Sequence, residues 1–208
     1  MNAIDFPSGP VLSALDLAGI GLFAATGAVA AARAKQTLVT FAFFALATGV
    51  GGGTVRDLLI GAPVSWIADT RPLIACLVIA RLIWITPAQL WRGKALDWLD
   101  AVGMAAYAVF GAAKALSFGV PPLAAVMMGI FTACLGGIIR DVMAGEPSII
   151  LRPELYVTAA ALAAALFVGL SAAGVMLPVA AGVSALAGFG LRALAIWKGL
   201  ALPVYRGG

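Results

Sequence analysis

The chain has 208 residues, of which 63% are hydrophobic and 11% are charged, with a net charge of +4. A soluble domain carries about 25% charged residues, so this composition excludes a globular protein with a water-facing surface. The positive charge is not gathered into a basic patch interleaved with aromatic residues, so we expect no nucleic acid as a partner.

Seven apolar stretches of about 20 residues predict seven transmembrane helices. In chain order they cover residues 12–33, 37–59, 73–91, 97–117, 120–143, 154–173 and 177–197. Proline and glycine mark most of the connections between them. The sequence therefore predicts an all-α membrane protein, a single transmembrane domain over residues 1–208, with membrane lipid around it.

The positions of lysine and arginine predict how the chain crosses the membrane, because cytoplasmic loops carry an excess of these residues. Eight basic residues fall on one side: Arg33, Lys35, Arg92, Lys94, Arg140, Arg152, Lys198 and Arg206. Three fall on the other: Arg56, Arg71 and Lys114. We therefore expect a multi-pass protein of the cell (inner) membrane with its N-terminus outside and its C-terminus in the cytoplasm.

The first half of the chain recurs in the second half. Residues 15–63 align with 99–147 at a constant offset of 84, without a gap and with 14 identities in 49 positions. The informative identities are Asp16/Asp100, Gly19/Gly103, Gly27/Gly111, Thr48/Thr132, Gly52/Gly136, Gly53/Gly137, Arg56/Arg140, Asp57/Asp141, Gly61/Gly145 and Pro63/Pro147. Each copy holds three spans, so the second enters from the opposite face, as an inverted repeat. We predict repeats over 12–91 and 97–173, and a seventh helix over 177–197.

Both repeats place consecutive glycines shortly before an arginine and an aspartate. These residues are Gly51, Gly52, Gly53, Arg56 and Asp57 in the first copy, and Gly136, Gly137, Arg140 and Asp141 in the second. Glycine weakens a helix, and a charge at the bilayer centre costs about 2.5 to 3.5 kcal/mol on insertion scales. We therefore expect both spans to break at the glycines and to expose carbonyl groups along a watery path for a cation. The alternative is that these glycines only allow close helix packing.

The remaining candidates each have two interpretations. Thr48 and Thr132 lie about one turn before the glycines and either line the path or bond to freed backbone groups. Adjacent helical residues do not face each other, so each charge of the two Arg-Asp motifs is expected to find another partner. Those charges either fix the broken helices or form an ion-selecting vestibule.

Three further charged residues belong to the predicted network or path. Asp16 and Asp100 lie near the starts of their spans, where a carboxylate also stabilises a helix N-terminus. Lys114 either faces the path and repels cations or extends toward the membrane surface. Gly19, Gly27, Gly103 and Gly111 are predicted to be packing positions.

The doubled Gly-Gly-x-x-Arg-Asp motif, the inverted repeat and the seventh span resemble the trimeric intracellular cation (TRIC) channel family in its prokaryotic branch. The resemblance implies a homotrimer with a pore in each protomer, permeable to monovalent cations, chiefly potassium, with sodium as a second permeant ion. It also implies that the second and fifth spans, kinked at the glycines, line the pore with the first and fourth. Leu135 departs from a full second glycine triplet.

Two functions are compatible with these observations, and a purely structural membrane protein is the alternative to both. The first is a passive channel for monovalent cations, and the second is a small-solute carrier for glycine or other amino acids, because inverted repeats also suit alternating access. We expect no enzyme and no catalytic residue, since the chain has no histidine and the arginines would keep Asp57 and Asp141 ionised. We also expect no metal site and no cofactor.

Overall fold

The structure is a computed structural model that describes residues 10–205, with side chains from residue 16 onward. Within that range the chain forms eight α-helices. They are α1 (Pro10–Arg33), α2 (Leu38–Leu59), α3 (Ser65–Ala68), α4 (Arg71–Ile85), α5 (Ala95–Ser117), α6 (Pro122–Ala144), α7 (Val157–Ala172) and α8 (Leu177–Lys198). Two 3₁₀ turns, Ala88–Trp91 and Ile149–Leu151, lie in the connections before α5 and α7.

Seven of these helices correspond to the seven predicted spans, and α3 is a single turn in a loop. Five are long and apolar enough to cross a membrane, namely α1, α2, α5, α6 and α8. The third helix of each repeat is shorter, with 15 residues in α4 and 16 in α7. At 1.5 Å per residue these helices are about 23 Å long, less than the hydrocarbon core of about 30 Å.

The predicted third span, 73–91, extends too far at its C-terminal end. Helix α4 ends at Ile85, and Thr86 is extended with ψ 148°. Proline disfavours the helical conformation of the residue before it, so Pro87 ends the helix at this point. The residues after it form the separate 3₁₀ turn instead.

The fold is an inverted three-plus-three repeat with one added helix. Helices α1, α2 and α4 form the first repeat, and α5, α6 and α7 form the second in the opposite orientation. Across the two repeats α1 packs on α5 and α2 packs on α6, while α4 and α7 pack on the outside of their own repeats. The added helix α8 packs against α5 and α7.

The ends of α2 and α6 explain two of the glycines shared by the repeats. Gly61 and Gly145 both have a φ of +68°, the left-handed conformation that glycine adopts without steric cost. At each end the following N–H returns to an aspartate carbonyl, from Ala62 to Asp57 at 2.8 Å and from Glu146 to Asp141 at 3.0 Å. The chain therefore reverses in the same way at both membrane faces.

The outer surface of the helices is apolar. Large side chains such as Val39, Phe43, Leu123, Leu186 and Trp197 are more than half exposed. The core is built mainly from small residues, among them many alanines that are fully buried. Small residues allow membrane helices to approach closely, so this chain is packed as a membrane protein with its apolar surface toward lipid.

Candidate functional site

A first cluster of charges lies at the predicted outer end of α2. Arg56 Nε donates to Asp57 Oδ1 at 2.9 Å, and Arg56 Nη2 lies 2.7 Å from the same oxygen. Lys114 of α5 brings its Nζ to within 2.8 Å of that oxygen too. The Asp57 Oδ2 atom accepts the Ser65 N–H at 3.3 Å, and the Arg56 guanidinium lies 5.1 Å from the ring centre of Phe110. Arg56 and Asp57 are buried, whereas Lys114 is 20% exposed.

A second cluster lies at the predicted cytoplasmic end of α6. Arg140 Nε and Nη2 each lie 2.9 Å from Asp141 Oδ1, and Arg140 Nη1 donates to Asp100 Oδ1 at 2.6 Å. Asp141 Oδ2 accepts the Ile149 N–H at 2.8 Å. The hydroxyl of buried Tyr156 donates to the Ala133 carbonyl at 3.3 Å beside this cluster.

The two clusters are related by the repeat. Arg56 and Arg140, Asp57 and Asp141, and the loop donors Ser65 and Ile149 all differ by 84 positions. In both copies one aspartate oxygen accepts from the arginine while the other holds the loop after the helix. Each aspartate therefore links a buried guanidinium to the turn that reverses the chain.

The expectation that neighbouring arginine and aspartate side chains would not pair is wrong. In both clusters the ion pair joins adjacent residues. The arginine side chain is long enough to fold back over the helix end, and the low dielectric of the interior strengthens the attraction. Additional partners come from α5, through Lys114 in the first cluster and Asp100 in the second.

A vestibule of about 210 Å³ opens onto the second cluster between the ends of α1, α5 and α6. Ala30, on the last turns of α1, forms part of its wall. Its charged lining comprises Arg33, Asp97, Arg140, Asp141, Glu146 and Arg152. Arg33 also donates to the carbonyls of Trp91 and Gly93, at 3.1 Å and 2.8 Å, and so fastens the loop before α5.

Glycines mark the place where α2 and α6 cross. A Cβ atom on Gly52 would lie 2.6 Å from the carbonyl oxygen of Thr132, and one on Gly136 would lie 2.7 Å from that of Thr48. Real Cβ atoms do not approach backbone that closely, so only glycine fits either position. The predicted sites Thr48, Gly52, Thr132 and Gly136 thus form one symmetric contact between the repeats.

The glycines predicted as packing positions follow the same symmetry. A Cβ atom on Gly27 would lie 2.6 Å from Thr48 Oγ1, and one on Gly111 would lie 2.4 Å from Thr132 Oγ1. Gly19 and Gly103 lie against the rings of Tyr107 and Phe23, at 3.0 Å and 3.2 Å from an added Cβ. These two rings contact each other, with centroids 5.3 Å apart, halfway along α1 and α5.

The predicted interruption of the two helices is wrong. Helix α2 runs without a break through Gly51, Gly52 and Gly53, and α6 does so through Gly136 and Gly137. In a membrane each backbone group without a hydrogen bond costs several kcal/mol, because no water is there to replace the missing partner. A continuous helix is therefore favoured even though glycine is a poor helix former in water. The backbone carbonyls here remain in helical hydrogen bonds.

Comparison with known proteins gives a family. A family model described as "Glycine transporter" matches the chain twice, over residues 13–88 and 97–172. An Escherichia coli protein described as a UPF0126 inner membrane protein, YadS, is 38% identical over 148 residues, covering 70% of this chain and 72% of that protein. A UPF0126 membrane protein of Vibrio cholerae is 39% identical over 155 residues, covering 72% of this chain and 64% of that protein.

Solved structures give the same result. A TRIC trimeric intracellular cation channel orthologue from Rhodobacter sphaeroides is 41% identical with a TM-score of 0.86, covering 92% of this chain and all of that one. The chain belongs to the TRIC family. A second structure, from work on conductance through TRIC cation channels, is 30% identical with a TM-score of 0.80 and covers 94% of this chain and 98% of that one. These relatives are membrane proteins and channels, and the TRIC family is not a family of enzymes.

In this TRIC chain the predicted charged residues form the two clusters, with one exception. Asp16 is not among the described ion pairs. The Tyr107 hydroxyl lies within hydrogen-bond distance of Asp16 Oδ1, at 3.2 Å, and of the Asp16 backbone carbonyl, at 3.1 Å. Asp100 lies in the second turn of α5 and pairs with Arg140, so an ion pair replaces the expected role at the helix N-terminus. Gly51 lies against Ile139, whereas Gly53 and Gly137 lie beside the guanidinium groups of Arg56 and Arg140.

Several residues of the TRIC site were not predicted from the sequence. Phe110 and Tyr156 differ from their counterparts in the other repeat, Thr26 and Pro72, so comparison of the repeats gave no signal for them. Buried Arg192 of α8 pairs with Glu154 at 2.7 Å and lies 5.3 Å from the Tyr156 ring centre. The position of Arg192 inside an apolar span was itself a signal in the sequence, because such a residue requires a partner.

Proposed function

We propose that the chain forms a channel for monovalent cations, permeable to potassium, with one pore through each protomer of a homotrimer. Its TRIC relatives with solved structures are described as cation channels, and one is described as trimeric. The pore would run within the core formed by α1, α2, α5 and α6. The membrane would be the inner membrane, with the N-terminus outside and the C-terminus in the cytoplasm.

The observation that carries the proposal is the pair of buried charge clusters at opposite ends of this four-helix core. Ionisable residues inside a membrane are expensive and usually mark an ion or substrate pathway. The cluster at the predicted cytoplasmic end opens into the charged vestibule, which provides an entrance. A purely structural ion pair would not need such an opening.

The continuous helices change how a cation would be held. Because the backbone carbonyls of α2 and α6 stay in helical hydrogen bonds, the ligands would be water and the carboxylates of the two clusters. The path would pass beside the contact at Gly52 and Gly136, where the two helices touch. Phe23 and Tyr107 fill the core between the clusters, and both are at most 5% exposed, so conduction would require these rings to move.

Reconstitution in a planar bilayer tests the proposal. With potassium chloride at different concentrations on the two sides, the purified protein should give unitary currents whose reversal potential lies close to the equilibrium potential of potassium. A reversal potential near that of chloride, or no current above that of protein-free bilayers, would contradict a cation channel.

A glycine or amino-acid carrier is the second candidate, because the matching family model is described as a glycine transporter. A carrier with the same inverted repeat would expose one binding site alternately to each side. Saturable uptake of labelled glycine into proteoliposomes, with no unitary currents in the same preparation, would favour the carrier. Cation currents without glycine uptake would favour the channel.

A further inference from the structure

The two charge clusters have opposite net charges, +1 in the outer cluster and −1 in the inner cluster, and this difference bears on the proposed cation pathway on which the following inference rests. The outer cluster contains Arg56 and Asp57 with Lys114 added. The inner cluster contains Arg140 and Asp141 with Asp100 added. At the position 84 residues before Lys114 the chain has Ala30, so the inner cluster has no counterpart of the lysine.

The inner cluster carries one net negative charge. Its single guanidinium faces two carboxylates, and all three side chains are at most 10% exposed. Among the described residues, Asp100 Oδ2 has no hydrogen-bond partner although it is buried. A buried carboxylate oxygen without a partner is strongly unfavourable, so this atom requires a ligand of positive charge or a donor.

The vestibule gives such a ligand access to Asp141 and Arg140, which line it, and Asp100 is joined to this lining through its ion pair with Arg140. Ala30 and Asp141 both line it, so the methyl group of alanine stands where the repeat would place a lysine side chain. A Cβ atom on Gly137 would lie 3.4 Å from the Tyr156 hydroxyl and 3.5 Å from both Asp100 Oδ1 and Arg140 Nη2. Gly137 thus lies in ordinary van der Waals contact with these groups, and the tyrosine hydroxyl, which donates to Ala133, keeps its lone pairs available.

We propose that the inner cluster binds one monovalent cation, held by the carboxylates of Asp100 and Asp141. This ion takes the role that the Lys114 ammonium has in the outer cluster. The outer cluster provides the precedent, since an ammonium and a guanidinium share one oxygen of Asp57 there. One monovalent cation neutralises the inner cluster, whereas a divalent cation would leave it positive.

Thallium(I), which substitutes for potassium and scatters anomalously, is the probe that tests this site. Crystals of the full-length protein soaked in a thallium salt should show an anomalous peak beside Asp100 and Asp141 in each protomer. Ala30→Lys should abolish that peak, because it supplies the missing ammonium without removing a ligand.

Ala32→Lys is the matched control. It adds the same charge at nearly the same depth of α1 but on the face that lines a separate pocket with Phe41 and Ile83, so the peak should remain. In solution, potassium chloride should raise the Tm relative to N-methylglucamine chloride of equal concentration. Ala30→Lys should remove that difference and Ala32→Lys should keep it.

The outcomes separate this inference from the proposed channel. Thallium absent from Asp100 and Asp141 in crystals of a protein that conducts potassium would overturn the site and leave the channel standing. A peak that Ala30→Lys does not remove would also overturn it. A peak that disappears in Ala30→Lys, in a protein that passes no cation current, would support the site and contradict the channel.

Discussion

Neighbouring glycines in α2 and α6 have different neighbours and therefore different functions. Gly52 and Gly136 lie against the backbone of the opposite helix. The next residues, Gly53 and Gly137, lie beside the arginine that follows one turn later, with Arg56 Nη2 at 3.6 Å and Arg140 Nη2 at 3.5 Å from an added Cβ. The first pair sets how closely the repeats approach, whereas the second lies at ordinary van der Waals distance from the buried guanidinium groups.

Gly52→Ala should destabilise the protein, whereas Gly53→Ala should not. The new methyl group at position 52 would overlap the Thr132 carbonyl oxygen and force α2 and α6 apart. Overpacking of this kind costs about 1 to 3 kcal/mol. Equilibrium unfolding in mixed micelles measures the difference, and equal stability of the two variants would show that the helices do not meet at Gly52.

Lys114→Ala should raise the cation conductance, by roughly two- to fivefold, because it removes one positive charge from the outer cluster and so weakens the repulsion of cations. Single-channel recording in symmetric potassium chloride measures this change. Lys114→Arg keeps the charge and is the control, for which the conductance should stay close to that of the wild type. Unchanged conductance in Lys114→Ala would place this side chain away from the ion path.

At the scale of the helix, the sequence predicted the position of α2 and α6 well and their internal geometry badly. The identities at Gly, Arg, Asp and Pro, all at the offset of 84, located both helices and their symmetry. They recur because both copies form the same turn at the end of the helix. The expected break at Gly51 to Gly53 failed, since helix propensity measured in water does not include the cost of unpaired backbone in lipid. Close helix packing, the alternative stated for these glycines, is confirmed at Gly52 and Gly136, although the opposing helix could not be identified from α2 alone.

Helix α8 has no counterpart in the repeats and is held at its inner end by polar contacts. Lys94 Nζ donates to the Ile196 carbonyl at 2.6 Å, and the Leu202 N–H donates to the Pro153 carbonyl at 2.6 Å. Buried Arg192 pairs with Glu154, which is 37% exposed. These contacts join α8 to the loops around the vestibule.

Glu154→Gln should loosen the inner end of α8, because it leaves the buried Arg192 without a charged partner. Breaking a fully buried pair costs about 3 to 5 kcal/mol, and the partial exposure of Glu154 should reduce this to roughly 1 to 3 kcal/mol. Hydrogen exchange of α8, followed by mass spectrometry, should become faster. The double variant Arg192→Met/Glu154→Gln removes both charges and should recover much of the protection. Exchange of α8 in the double variant that is as fast as in Glu154→Gln, or faster, would contradict the pairing.

For the whole molecule, composition and the offset of 84 residues were sufficient to predict seven membrane helices in an inverted repeat. The same offset shows at which positions the two halves differ in sequence, but it could not show which of these differences change the charge clusters. Ala30 facing the vestibule and Lys114 facing Asp57 become informative only when the structure shows which cluster each belongs to. Likewise the partner of Arg192 lies in a loop, where no periodicity points to it. The repeat boundaries 12–91 and 97–173 stay predictions.

Burial changes the count of basic residues on which the predicted orientation rests. Three of the basic residues counted in the sequence, Arg56, Lys114 and Arg140, are engaged in the charge clusters. The exposed basic residues of the described chain that lie in or beside the loops are divided six to one between the two faces. They are Arg33, Lys35, Arg92, Lys94, Arg152 and Lys198 on one face and Arg71 on the other. Exposed positive charge is therefore more one-sided than the sequence count suggested.

Labelling of single cysteines should show that the membrane face with six exposed basic residues lies in the cytoplasm, because loops rich in lysine and arginine are retained there. Phe118→Cys, in the loop between α5 and α6, should react with a membrane-impermeant maleimide in intact spheroplasts. Gln89→Cys, in the loop between α4 and α5, should react only after the membrane is opened. Both positions are exposed, and the native Cys76 and Cys134 are buried, so the unsubstituted chain serves as the unlabelled control. The reverse pattern would invert the assignment and place the vestibule with Asp100 and Asp141 at the outer face.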